Sequence, residues 1–164
     1  MSEQFIIHNL RFAEGKEQID AVLPQSSFAR LSAEVVRPTG DVHFRLTGGR
    51  NSLGLPVLDL AVSTTVELVC QRCMNVMTSD IVSESRLVVV DKESLIDEYD
   101  SDEEDAILED AEFSVLELVE DELLLVLPAS PRHEMCVDSS AAKAAAEANK
   151  KPNPFAVLAE LKNR

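Results

Sequence analysis

Tryptophan is absent from this 164-residue chain and tyrosine occurs once, so six phenylalanines and the aliphatic residues must build the core. Basic residues are scarce as well: 15 Lys and Arg stand against 30 Asp and Glu, a formal charge of -15. A surface of that sign repels phosphates, which disfavours a general nucleic-acid binder and favours a basic partner. Long apolar runs are missing. Met1-Ser2-Glu3-Gln4 has no basic character and Phe5-Ile6-Ile7 is too short for a signal core or a membrane span, so a soluble cytoplasmic protein is expected. Three cysteines are an odd number, and CxxC spacing without an export signal points to metal or redox chemistry rather than a disulfide framework.

The length suits one domain with tails, and shifts in hydrophobic period divide it. Ile19, Val22 and Leu23 fall at helical spacing before Pro24, and Phe28, Leu31 and Val35 repeat it before Pro38. Two short helices are expected there, the second capped by Ser26 or Ser27. From Asp41 the period becomes two, with Val42, Phe44 and Leu46 on one face, and Gly48-Gly49-Arg50-Asn51-Ser52 reads as a turn. Leu58, Leu60, Val62, Thr64, Val66 and Leu68 line one face of a longer strand that delivers the chain to Cys70. Beyond the knuckle, Ile81 to Val90 resumes strand composition and ends in Leu87-Val88-Val89-Val90, apolar on both faces and expected to be buried. Two such runs joined by a short knuckle make a long antiparallel hairpin in a sheet of at least three strands, able to curl towards a barrel.

Asp91 to Glu112 sets twelve acids against Lys92 alone, the composition of a solvated loop, with Ile107-Leu108 available to pin its end to the fold. The other reading makes it a docking belt for a basic protein or a mimic of nucleic-acid charge, with Asp100, Asp102, Glu103, Glu104 and Asp105 as the contact residues. Ser114 and Glu117 form a capping box and start a helix that Pro128 ends. Leu116, Val119, Leu123, Val126 and Leu127 trace its apolar seam, with Glu117, Glu120 and Asp121 opposite. Residues 1–137 thus read as a single α+β domain, an antiparallel sheet with flanking helices and an acidic loop at 91–112. Residues 138–153 read as an Ala-rich linker, and 154–164 as a short C-terminal helix that presents Phe155, Leu158 and Leu161 for docking.

Two half-sites carry the chemistry. Cys70-Gln71-Arg72-Cys73 and His133-Glu134-Met135-Cys136 offer the four sulfur and nitrogen ligands of a closed tetrahedral zinc site, although about 60 residues separate them, outside compact-finger spacing. Two further readings stay open: small thiols beside a solvated loop histidine, and a reversible disulfide between Cys70 and Cys73. The thioredoxin-type motif opens a helix, whose N-terminus lowers the thiol pKa, whereas this one joins strands; Arg72 would still favour a thiolate. His8 and His43 are isolated, and no nucleophile–base order, phosphate-cradling loop or basic aromatic patch occurs, so no enzyme activity is expected.

Four pieces come in one order: Cys70-Gln71-Arg72-Cys73 after a strand, the run from Val119 to Pro128, His133 to Cys136, and Lys151-Pro152-Asn153-Pro154-Phe155-Ala156-Val157-Leu158. As an ordered set they resemble the bacterial YceD family of large ribosomal RNA subunit accumulation proteins, over most of the chain from about Val57 onward. The resemblance implies a non-catalytic role in synthesis, processing or stability of large-subunit (23S) RNA, in the bacterial cytoplasm, with a link to ribosomal proteins. The acidic charge makes contact through a basic ribosomal protein or a large-subunit assembly intermediate the expected route. Direct rRNA binding would need a local basic surface made from Arg30, Arg37, Arg45, Arg50 and Arg72, and thiol redox chemistry at the CxxC is the third reading.

Overall fold

The computed structural model describes residues 5–136, so the Ala-rich linker and the C-terminal helix with Phe155, Leu158 and Leu161 lie outside the described residues. In chain order come β1 (Ile6–Ile7), α1 (Asn9–Gly15), β2 (Gln18–Pro24), α2 (Ala29–Glu34), β3 (Asp41–Arg50), β4 (Pro56–Val69) and β5 (Val76–Val90). Then follow α3 (Ile96–Tyr99), β6 (Asp105–Leu108), β7 (Phe113–Ser114) and α4 (Val115–Val126). The fold is α+β: β2, β3, β4 and β5 are antiparallel neighbours, and β6 adds in parallel beside Leu87–Val90. This five-stranded sheet stays open, with β2 and β6 as its outer members, and does not close into a barrel. β1 and β7 pair separately.

The main core lies on one face of the sheet. Leu58, Leu60, Val62, Val66 and Leu68 of β4 point into it, as their period-two spacing requires, and meet Phe12 and Ala13 of α1, Leu31 of α2, and Val115, Val119 and Leu123 of α4. Thr64, on the same face, is buried with its hydroxyl accepting from the Gln25 side chain and donating to the Asp41 carbonyl. On the opposite face a small second cluster, Val57, Val88 and Val90, is covered by Leu95, Ile96 and Tyr99.

Several expectations need correction. Ile19 to Leu23 is strand, not helix: Ile19, Ala21 and Leu23 are half-buried while Asp20 and Val22 are exposed, and pairing with β3 runs from Gln18 to Pro24. A short segment with apolar residues at 19, 22 and 23 satisfies either period, and the sheet supplied hydrogen bonds along its whole length. Neither Ser26 nor Ser27 caps α2, whose N-cap is Phe28 without a side-chain bond. Gly48 and Gly49 belong to β3, and the turn follows at 51–55, built on the Asn51 side chain, which accepts from the N–H groups of Leu53 and Leu55. The acidic stretch is only partly loop. It carries α3 and β6, and Ile107 and Leu108 do return to the sheet beside Val89 and Val90.

Helix α4 starts at the capping box as expected, with the Ser114 hydroxyl accepting from the Glu117 N–H at 3.3 Å. Its buried stripe is Val115, Val119, Glu120 and Leu123, so Val126 is exposed rather than in the seam and Glu120 lies inward rather than opposite it. Among the described residues, no helix is long and apolar enough to cross a membrane.

Candidate metal centre

Strand β4 ends at Val69 and hands the chain to Cys70, whose N–H bonds the Asn75 carbonyl at 2.9 Å and closes the hairpin. The Met74 N–H returns to the Cys70 carbonyl at 2.9 Å, and Met74 sits at φ 62°, the left-handed conformation that reverses the chain after Cys73. Both sulfurs therefore turn to one side of the hairpin tip. The second half-site arrives from α4. Pro128 cannot continue the helix, and the strap that follows is tied to the knuckle by the Gln71 N–H donating to the Pro131 carbonyl at 2.8 Å.

Cys70, Cys73, His133 and Cys136 converge, each offering one ligand atom, and these four atoms all lie within 4.8 Å of one another. Cys70 Sγ is 3.8 Å from Cys136 Sγ, and Cys73 Sγ is 3.4 Å from His133 Nδ1. A tetrahedral zinc with Zn–S of about 2.3 Å and Zn–N of about 2.0 Å would place its ligands about 3.8 Å apart for S and S and about 3.5 Å apart for S and N. The donor set and spacing thus fit a metal. Cys70 is buried and the other three are half-buried, all three cysteines as free thiols, so the cluster sits under the surface rather than on it.

Arg72, between the two cysteines, closes the site from outside. Its Nε donates to Cys136 Sγ at 2.9 Å, and its Nη2 donates to the carbonyls of His133 and Glu134 at 2.6 and 3.3 Å. The guanidinium is held charged chiefly by its hydrogen bond to Cys136 and by that sulfur's charge. Burial pushes the Cys70 thiol up, but the backbone N–H groups of Cys73, His133 and Arg72, with the His133 side chain, outweigh it and bring Cys70 down to about 5. At Cys73 the Asn75 backbone favours the thiolate, yet burial and the adjacent Cys70 and Cys136 sulfurs together raise it. Sulfurs that oppose one another's ionisation in this way are what a divalent cation would relieve.

The remaining residues read from the sequence are dispersed. Asp100 accepts from the Ala106 N–H at 3.0 Å, Glu104 accepts from the Asn51 side chain at 2.9 Å, Asp105 starts β6, and Asp102 and Glu103 are exposed. The candidate arginines do not make one basic surface. Arg30 pairs with Glu120 and Asp121, Arg37 with Glu67, Arg45 with Asp20 and Arg50 with Glu14, while Arg72 belongs to the sulfur cluster. Sequence reasoning did not find the bonds that Arg72 makes to the second half-site, because its partners lie 61 to 64 residues away.

The family model described as Large ribosomal RNA subunit accumulation protein YceD matches residues 58–162, a span that begins in β4 and includes both half-sites. The chain belongs to the YceD family. It is similar to the Large ribosomal RNA subunit accumulation protein YceD of Haemophilus influenzae, at 34% identity over 144 residues, covering 82% of each chain. No solved structure matches it.

Proposed function

We propose that this protein is a non-catalytic factor for the synthesis, processing or stability of large-subunit ribosomal RNA in the bacterial cytoplasm. It acts through a basic ribosomal protein, and Cys70, Cys73, His133 and Cys136 hold a structural zinc. The observation that carries the functional reading is membership of a family named for large ribosomal RNA subunit accumulation, with a relative of that name aligned over 82% of the chain. Contact with RNA through a protein is supported by the charge of -15 and by the pairing of Arg30, Arg37, Arg45 and Arg50 with acids of the same chain.

Zinc is supported by the four-ligand geometry and by the site's place in the fold. It would tie the exit of α4 to the tip of the β4–β5 hairpin, a closed site without a free coordination position. A thiol redox role is less well supported: the CxxC joins two strands, and Cys70 is fully buried, out of reach of a partner disulfide. The test is affinity capture from growing bacterial cells with and without ribonuclease, together with elemental analysis of protein purified without chelator. A basic ribosomal protein that survives the nuclease and one equivalent of zinc are expected. Recovery of RNA alone, with every protein lost on digestion, would overturn the protein-mediated route, and metal well below one equivalent would overturn the zinc site.

A further inference from the structure

Strand β5 is longer than anything that pairs with its outer side. Antiparallel pairing with β4 begins at Val76, whereas β6 reaches only Leu87–Val90. The phase of the ladder shows which backbone groups this leaves. The bond from the Cys70 N–H to the Asn75 carbonyl continues the β4–β5 ladder and places the odd-numbered residues of β5 in hydrogen-bonded pairs with β4. The Glu109 N–H bonds the Val90 carbonyl from the β6 side at 2.7 Å, so the even-numbered residues face the other way.

Val76, Thr78, Asp80, Val82 and Glu84 therefore turn their N–H and C=O groups to an open edge. Among the described residues no other strand takes them up. The edge runs for about 27 Å at about 3.4 Å per residue. Protein edges of such length are ordinarily blunted by charged side chains, lysine above all, by proline or by a covering element. The charges on this edge, Asp80 and Glu84, are both acidic and so keep off other acidic edges but not a basic strand. Between residues 76 and 84 there is neither lysine nor proline.

The chemistry of the edge selects its occupant. Val76 and Val82 are exposed by 47% and 67%, and one exposed face of the strand reads Val76, Thr78, Asp80, Val82 and Glu84, with an acid on either side of Val82. The nearest arginine on the strand, Arg86, is already bound by Asp59 at 2.6 Å. A second copy of this chain is a poor fit, because each copy carries -15 and the edge itself supplies no base to meet Asp80 and Glu84. An extended segment that carries, on one face and so two residues apart, Lys or Arg opposite Asp80 and Glu84 and an apolar residue opposite Val82 meets both the charges and the valine, and its backbone completes the ladder.

We propose that residues 76–84 of β5 take up an extended Lys- and Arg-rich segment of the ribosomal partner as an added strand. This rests on the protein-mediated reading given above. The direct probe is a synthetic extended peptide in which lysine and valine take turns at every second position, with threonine between them, so that both fall on one face. It is added to the full chain while amide hydrogen exchange is followed residue by residue. Exchange at Thr78, Asp80, Val82 and Glu84 is expected to slow at least tenfold, with the odd-numbered amides unchanged because β4 already holds them. A peptide of the same charge but N-methylated at alternate residues is expected to give no such slowing. Absence of binding, binding without slowing at the even-numbered amides, or equal slowing with the methylated peptide would each overturn the proposal.

Val82→Pro separates this inference from the functional reading. It removes one outward N–H and leaves the bonds to β4 in place. In capture experiments after nuclease treatment, the wild-type chain is expected to retain a basic ribosomal protein and the Val82→Pro chain to lose it at least tenfold. Equal retention by both chains sinks the edge and leaves the function standing, whereas no retention by the wild type sinks the protein-mediated function whatever the peptide shows.

Discussion

Glu120 of α4 caps α2 from outside: its Oε1 accepts the Leu31 N–H at 3.1 Å and the Arg30 N–H at 2.7 Å. These are the second and third N–H groups of a helix that has no side-chain cap of its own. The other oxygen accepts from Arg30 Nε at 2.9 Å, and Glu120 as a residue is 9% exposed. A charged acceptor at a helix N-terminus satisfies two donors and meets the positive end of the helix dipole. Glu120→Ala is therefore expected to cost about 2–3 kcal/mol and Glu120→Gln about 1 kcal/mol, since the amide retains one acceptor oxygen. Urea unfolding would show this as a lower midpoint with unchanged slope; a loss below about 0.5 kcal/mol for Glu120→Ala would mean that water caps α2 equally well.

That relationship marks where sequence reading stops. Phe28, Leu31 and Val35 did signal α2, and Ser114 with Glu117 did signal the start of α4, because those patterns are complete within one turn or two. The alternating face of β4 was legible for the same reason. Glu120 was not, since its bonding partners lie 89 and 90 residues away and a carboxylate among Leu and Val reads as the solvent face until α2 is placed. Strand β6 was hidden similarly, by acids that surround its Ala106 and Ile107. At the candidate metal centre the spacing of CxxC and HxxC offered the right donors, but their convergence depends on the strap after Pro128 and its bond to Gln71.

Gly48 offers a second test of packing. It lies inside β3, yet a side chain there would collide with the Phe12 carbonyl and come within 2.8 Å of Ala13 Cα, because α1 lies directly on the strand. Flexible side chains are not what it would meet; the obstacle is backbone. Gly48→Ala must push α1 off the sheet and is expected to cost about 2–3 kcal/mol, whereas Gly49→Ala, whose new methyl would meet only Val57 at 3.8 Å, should stay within about 1 kcal/mol. Thermal unfolding of the two variants side by side checks this, and equal melting temperatures would refute the close-approach argument.

Met74 bears a conformational cost at the knuckle. It occupies the left-handed region at φ 62° with its side chain 69% exposed, so the side chain contributes little packing in return. Glycine carries no such penalty there, and Met74→Gly is expected to stabilise the fold by about 0.5–1 kcal/mol, the loss of unfolded-chain restriction offsetting part of the relief. A chemical denaturation series in the presence of zinc reads it, and destabilisation beyond about 0.5 kcal/mol would show that Met74 packs in a way its exposure does not suggest.

Charge at the cluster decides the role of Arg72. Three thiolates and a neutral imidazole around a divalent zinc would leave the centre with one net negative charge, and the Arg72 guanidinium, 2.9 Å from Cys136 Sγ, is positioned to balance it. The same side chain bonds the His133 and Glu134 carbonyls, so it also holds the second half-site against the first. Arg72→Ala removes both effects and should weaken zinc binding about 10–100-fold in competition with a chelating dye, while protein saturated with zinc still holds one equivalent. Arg72→Lys keeps the charge but cannot reach the sulfur and both carbonyls from one planar fork, so recovery should be partial. If Arg72→Lys restores full affinity, charge alone is sufficient; if Arg72→Ala has no effect, the guanidinium is a surface strap and the metal's affinity is set by its four ligands.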